Sequence, residues 1–205
     1  MIRYDLSIIE NWIKPGSRVL GLGCGEGDLL YALKIGKGVE ERGIEKTESG
    51  VSACIEKGLS VIQGDINTEM DDYPDQFFDY VILSQTLQQV YEPDQLIKSM
   101  LRVGKKAVVS FPNFGHYRIR LQLLLSGYVP VTEQLPYKWY DTPNIRVLTL
   151  KDFDRFAREV GFRILKEVAI NTTDKDMHGK IVRVLPNVRA TYGLFLIGKR
   201  LKKSN

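Results

Sequence analysis

The residues of this chain whose types and spacing could do chemistry are the glycines at 21, 23, 25 and 27, with Glu45, Asp65 and Ser84 downstream. In residues 18–30, RVLGLGCGEGDLL, the apolar Val19, Leu20 and Leu22 run into the alternating glycines. Leu29, Leu30, Ala32 and Leu33 then recur with helical spacing. A strand, a tight glycine turn and a helix start in succession let backbone N–H groups approach a ligand closely. The dinucleotide fingerprint GxGxxG fails in both registers, because Glu26 or Asp28 stands where its last glycine belongs. Glu45 comes about twenty residues after the turn, where a carboxylate can accept the hydroxyls of a ribose. Asp65 ends a third strand after Gly64, and Ser84-Gln85-Thr86 end a fourth. Ligands of open α/β sheets sit beyond the carboxyl ends of the strands, so this ordered series points to a nucleoside-type site. Plainer roles stand beside that one: Glu45 as a solvated residue leading into a helix, Asp65 as a turn cap, and Asp79 as the anchor of a strand edge.

The elements that must position these residues follow from periodicity. Leu6, Ile8, Ile9, Trp12 and Ile13 predict an amphipathic helix closed by Pro15 and Gly16. Strands are expected at 41–45, 59–63, 77–84 and 105–111. Helices are expected at 48–57, with Gly58 as C-cap, and at 94–103, with Asp94 as N-cap. FFDYVILS, at 77–84, is the continuous apolar run of a strand covered on both faces. After 112 the rhythm breaks. A helix over 115–126 carries Leu121, Leu123, Leu124 and Leu125, and an irregular stretch follows with Tyr128, Pro130, Pro136, Tyr137, Trp139, Tyr140 and Pro143. The pattern resumes with a helix at 150–160, a Gly161 cap and a strand at 163–170. A loop at 172–189, carrying Lys175, His178, Lys180 and Arg183, leads to a last strand at 190–198 and a basic tail at 199–205. This alternation predicts a doubly wound, mostly parallel sheet in one domain, 1–205, with an aromatic and proline-rich insertion at 112–148.

Composition narrows the class. The 205 residues are 43% hydrophobic and 26% charged, values of a globular chain long enough to bury its own core. The net charge of +4, from 29 basic and 25 acidic residues, gives no basis for a nucleic-acid partner. Cys24 and Cys54 have no metal-ligand spacing, so neither a metal nor a disulfide framework is expected, and a reducing compartment is. The charged first residues, MIRYDLSIIENWIK, lack an apolar signal core, and no run is long enough to span a bilayer. The expectation is a soluble, cytoplasmic protein without a membrane partner.

The glycine spacing resembles motif I of the S-adenosylmethionine-dependent methyltransferases. Over almost its whole length the chain is similar to the methionine biosynthesis protein MetW family. The similarity lies in MIRYDLSIIENWIKPGSRVLGLGCGEGDLL, FFDYVILSQTLQQV, LRVGKKAVVSFPNFGHYRIRLQLLLSGYVPVTEQLPYKWYDTPNI and the LTLKDFDRF–EVGFRI segment. The run 110–145 is the most specific, since generic methyltransferases do not share it. The resemblance implies a seven-stranded Rossmann-like methyltransferase sheet with helices on both faces, S-adenosylmethionine as cofactor and a homoserine O-acyltransferase as partner. Carried onto this sequence, Gly21, Gly23, Cys24, Gly25 and Gly27 make the cofactor turn and Glu45 holds the ribose. Asp65 and Ile66 then flank the adenine, and Ser84 lines the methionine end. One position departs: motif I usually opens with an acid facing the cationic amino-acid end of the cofactor, and here it is Gly21. Losing one charge-assisted hydrogen bond costs about 1.5–3 kcal/mol, roughly ten- to a hundredfold in affinity.

No acceptor-side signal accompanies the cofactor series. The Asn/Asp-Pro-Pro-aromatic motif of many amino-group methyltransferases is replaced by SQTL after the fourth strand. His116 could serve as a base, although a single loop histidine is more often an ordinary polar residue. Tyr117, Tyr137, Trp139 and Tyr140 could form a lid over an acceptor, pack on the sheet, or make a surface for another protein. Three functions follow in order: an accessory protein that activates a homoserine acyltransferase, a small-molecule methyltransferase, and nucleic-acid binding through Lys199, Arg200, Lys202 and Lys203.

Overall fold

A computed structural model describes residues 2–133, 135–172 and 177–200. In chain order its elements are α1 (Tyr4–Trp12), β1 (Arg18–Leu22), α2 (Asp28–Lys37), β2 (Glu40–Glu45), α3 (Glu48–Glu56), β3 (Val61–Gln63) and β4 (Phe78–Ser84). There follow a short 3-10 turn (Leu87–Gln89), α4 (Pro93–Val103), β5 (Gly104–Pro112), α5 (Tyr117–Ser126), α6 (Leu150–Val160), β6 (Phe162–Asn171), β7 (Lys180–Ile181), α7 (Pro186–Arg189) and β8 (Tyr192–Lys199).

The sheet order is β3-β2-β1-β4-β5-β8-β6-β7. The five strands from β3 to β5 are mutually parallel, and β8 runs antiparallel between β5 and β6. The expected seven strands become eight. The added strand is the two-residue β7, paired with Ile170 and Asn171 at the end of β6. It lies inside the predicted 172–189 loop, where its exposed pair of residues carries no periodic signal. The same loop holds the single turn of α7. Lys175, Lys202 and Lys203 lie outside the described residues.

Alternate residues of each apolar strand enter opposite cores, as a pleated strand covered on both faces requires. Tyr80 and Ile82 join α1 and α2 in one cluster, while Val81 and Leu83 join α4 and α6 in the other. Local capping sets most boundaries. Thr149 and Asp152 form a reciprocal capping box and Gly161 closes α6 at φ 88°, so that helix matches its expected bounds. Two expected caps move by a position or two. Pro93 occupies the first turn of α4 with Glu92 as N-cap, leaving Asp94 inside the helix. Lys57 caps α3, with Gly58 following at φ 69°.

Strand order reverses between β1 and β4, and there the loops after both strands open a crevice.

Candidate functional site

The glycine loop after β1 is stitched to β2. Gly23 N–H donates to the Ile44 carbonyl at 2.8 Å, continuing the ladder one residue past the strand. Gly23, Gly25 and Gly27 all adopt left-handed backbone, at φ 58°, 56° and 77°. Their reasons differ. A Cβ on Gly25 would meet nothing within 4 Å, so that backbone faces open space. A Cβ on Gly27 would stand 2.5 Å from Leu59 and 2.8 Å from Cys54, so this glycine caps α2 against the core behind the loop.

Glu45, at the end of β2 and 7% exposed, reaches back into the loop. Its Oε2 accepts the Gly25 N–H at 2.8 Å; its Oε1 accepts both the N–H and the hydroxyl of Thr47, at 3.0 and 2.8 Å. Burial alone would raise this carboxyl, but the donors from Thr47 and Gly25 outweigh it and hold it below the ordinary glutamate value. Three donors therefore meet a group with about four acceptor directions. Thr47 is also the N-cap of α3, taking the Gly50 N–H at 3.2 Å.

Two cavities meet at Gly23. One, of about 290 Å³, is lined by Arg3, Gly21, Cys24, Gly25, Ser84 and Gln85 among others. The second, of about 370 Å³, is lined by Glu45, Thr47, Asp65, Ile66, Thr86 and Tyr91 among others. Gly21, Gly23, Cys24, Gly25, Glu45, Asp65, Ile66 and Ser84 thus come together around one crevice, and Gly27 alone of the expected series stays behind it. Asp65 closes a turn, its Oδ1 accepting the backbone and side-chain N–H of Asn67 at 2.9 and 2.7 Å. The Asn67 backbone N–H is the main reason its carboxyl sits below the usual value. Ser84 Oγ lies 3.0 Å from Ser110 Oγ across the β4–β5 pair.

Gly21 has ordinary extended backbone, yet a Cβ there would stand 3.1–3.3 Å from three atoms of Leu30. That leucine of α2 occupies the room a side chain at 21 needs. Cys24 lies on Gly43, where a Cβ would stand 2.8 Å from its sulfur, and its Sγ is 3.8 Å from Cys54 Sγ. Burial raises both thiols above their ordinary value, and each thiol also feels the negative charge of Glu45. Both stay protonated and are poor nucleophiles.

Other candidates fall outside the crevice. Asp79 takes the Arg18 N–H at 2.9 Å and Lys105 Nζ at 2.7 Å, a strand-edge clamp at the opposite end of the sheet. His116 is the N-cap of α5: Nδ1 accepts the Arg118 N–H at 3.3 Å, and burial lowers its basicity. Among the described residues no group of three or more His, Cys, Asp or Glu could hold a metal, and no helix is long and apolar enough to cross a membrane. α5 has no buried residue at all; Leu124 and Leu125 are 78% and 81% exposed. Gln85 and Thr86, expected beside Ser84 at the end of the fourth strand, line the cavities too, while Arg3 and Thr47 are among the lining residues the sequence did not single out. Only Thr47 carried a legible sign, as a threonine directly before a helix.

Solved structures share this architecture at low sequence identity. A S-adenosylmethionine-dependent methyltransferase of Thermotoga maritima, described as a possible histamine N-methyltransferase, superposes with a TM-score of 0.67 at 17% identity, covering 96% of this chain and 88% of that one. A second, from Archaeoglobus fulgidus, gives 0.68 at 16% identity, covering 95% and 91%. The fold is the α/β Rossmann-like methyltransferase fold. The bifunctional methionine biosynthesis protein MetXA/MetW of Rhodopirellula baltica is 36% identical over 176 residues, which are 82% of this chain and 28% of that protein. The chain therefore spans little more than a quarter of that relative. The family of methionine biosynthesis protein MetW matches residues 3–197. With the glycine loop, the strand-end acids and the 110–145 segment all in place, the chain belongs to the MetW family.

Proposed function

We propose that this protein acts in methionine biosynthesis as a partner and activator of a homoserine O-acyltransferase, and that its crevice holds S-adenosylmethionine. The observation that carries the partnership is α5, a ten-residue helix with four exposed leucines and no buried face. A monomer leaves so large an apolar surface in water only at a cost, and such surfaces mark contacts with other proteins. Tyr128, just past the helix, and Trp139 and Tyr140, later in the same segment of the chain, are each more than 60% exposed as well. A relative that joins MetXA and MetW in one chain supports the same reading. The protein is then cytoplasmic, alongside the other enzymes of the pathway.

The crevice fits the cofactor. Open space at Gly25 lets a ligand reach the loop backbone, Glu45 and Thr47 stand at the ribose position, and Asp65 and Ile66 border the second cavity. Gly21, Gly23, Cys24 and Ser84 border the first, at the amino-acid end. When bound, S-adenosylmethionine would supply a methyl donor; the chain's own residues orient it and exclude water. A methyltransferase acting on a small molecule is the second reading, favoured by the placement of both cavities at the strand-order reversal.

The test is to mix the purified protein with the homoserine acyltransferase. Co-purification and a rise in acyl transfer are expected; no complex and no activation rejects the reading. Transfer of radiolabelled methyl to a metabolite in cell extract would establish the second.

A further inference from the structure

One arginine ties the segment that carries α5 to the wall of the crevice. Residues 114–148 hold α5 and the exposed Tyr128, Trp139 and Tyr140. They leave and rejoin the fold at one place, where the Phe114 N–H donates to the Leu148 carbonyl at 3.1 Å. Two residues before that closure, Arg146 reaches the loop that follows β4. Its backbone N–H donates to the Gln88 carbonyl at 3.0 Å, and its Nε to the Val90 carbonyl at 3.4 Å. Its Nη2 donates to the Tyr91 carbonyl. A single residue of one segment thus holds three carbonyls of the other.

The loop held in this way is a wall of the second cavity. Thr86, Gln89, Val90 and Tyr91 line the 370 Å³ space together with Glu45 and Asp65. Tyr91 is 79% exposed although it lines that space. The loop also carries two features short of a relaxed state. Gln85 has φ 54°, a left-handed backbone that a glutamine rarely adopts. The Oε1 of Gln88, a residue 4% exposed, accepts no hydrogen bond among the described residues. Strained segments of this kind collect at ligand clamps and switch regions. A ligand in the cavity gives Val90 and Tyr91 a surface to pack on, and Arg146 passes the resulting order to the base of the 114–148 segment. A second partner that docks on a segment already ordered has less entropy to lose.

We infer that the crevice and the α5 surface are coupled sites, with Arg146 as the positioning residue between them, so that S-adenosylmethionine strengthens docking of the acyltransferase. The bound cofactor is then a regulatory ligand of the partner complex. The inference rests on the partner and cofactor readings given above and adds how one site governs the other.

Calorimetry on the unaltered protein tests it by comparing the acyltransferase Kd with and without saturating S-adenosylmethionine, the acyltransferase alone with the same ligand serving as blank. Tightening of about fivefold or more is expected. Because coupling is reciprocal, saturating acyltransferase should tighten S-adenosylmethionine by the same factor. Arg146→Met keeps the backbone bond to Gln88 and removes both side-chain bonds. It should leave each ligand's own affinity within about twofold and bring the coupling factor close to one. A merely structural clamp would instead weaken both affinities and leave their ratio alone. Binding of both ligands with weaker coupling than that, or with coupling of the opposite sign, overturns the inference and leaves the two readings standing. Full coupling retained in Arg146→Met likewise overturns it. Failure of the acyltransferase to bind in either condition overturns the partnership together with the inference. Failure of S-adenosylmethionine to bind at millimolar concentration does the same for the cofactor reading. Should Arg146→Met not fold, Arg146→Lys decides in its place: it keeps the charge but loses the fork, so the coupling factor should fall, and an undiminished factor overturns the inference.

Discussion

Glu45 Oε2 accepts the Gly25 N–H at 2.8 Å, so the carboxylate at the end of β2 holds the apex of the glycine loop. One side chain thereby shapes both halves of the crevice. It sets the loop backbone on one side and, through Thr47, the first turn of α3 on the other.

Glu45→Gln should therefore loosen the loop. An amide has one acceptor atom in place of two and turns an NH₂ donor toward other donors. We expect a stability loss of about 1–3 kcal/mol by urea denaturation and weaker binding of S-adenosylmethionine. The pH dependence follows from the depressed carboxyl: its stabilising contribution is present above the unfolded glutamate value, 4.5, and is lost as pH falls through the lower folded value. Denaturation curves below pH 4.5 should thus show the unaltered protein and Glu45→Gln converging. Parallel curves across that range would refute this account of the loop.

Gly21→Asp is expected to restore an acid to the crevice, but Leu30 stands in its way. The added Cβ lies 3.1–3.3 Å from the leucine side chain, and overpacking of this kind costs about 1–3 kcal/mol. The single substitution should lower the melting temperature. Gly21→Asp with Leu30→Val should recover part of the loss and tighten S-adenosylmethionine several-fold. Calorimetry showing no tightening in the double variant would remove the missing acid as a cause of weakened binding.

Asp79 separates fold from site. It clamps Arg18 and Lys105 at the far end of the sheet, and Asp79→Ala should cost about 1–2 kcal/mol of stability. Its carboxyl is lowered chiefly by Lys105, so the clamp is expected to weaken as pH falls below the ordinary aspartate value of 3.8. Ligand affinity should not change. A large drop in affinity at unchanged stability would place Asp79 in the site after all.

Leu124→Glu with Leu125→Glu tests the α5 surface. Both side chains are exposed, so stability should stay within about 0.5 kcal/mol of the unaltered protein. Binding to the acyltransferase should disappear in a pull-down and the activation should go with it. Retained binding would move the contact elsewhere on the molecule.

Much of the architecture was legible because its causes are local. The apolar run at 77–84, the Thr149–Asp152 cap and Gly161 lie within a few residues of what they govern, and β4 and α6 follow them closely. The glycine loop and Glu45 were legible for a similar reason, since each ends a strand whose direction the alternation already implied. β7 was not, because a two-residue strand exists only through its partner β6. The resemblance places Gly27 in the cofactor turn; its packing against Leu59 and Cys54, about thirty residues on, was not legible, because those neighbours come from other elements.

The sequence by itself determined the order of strands and helices, the left-handed turn after β1 and the acids at the strand ends, because spacing along the chain is enough to specify them. Only the tertiary structure decided that Leu30 fills the space beside Gly21, that the Asp5 carboxylate accepts a hydrogen bond from the Gln85 side chain, and that α5 buries nothing. Those outcomes depend on which distant surfaces touch once helices pack on the sheet, and no periodicity within one segment encodes the shape of its neighbour.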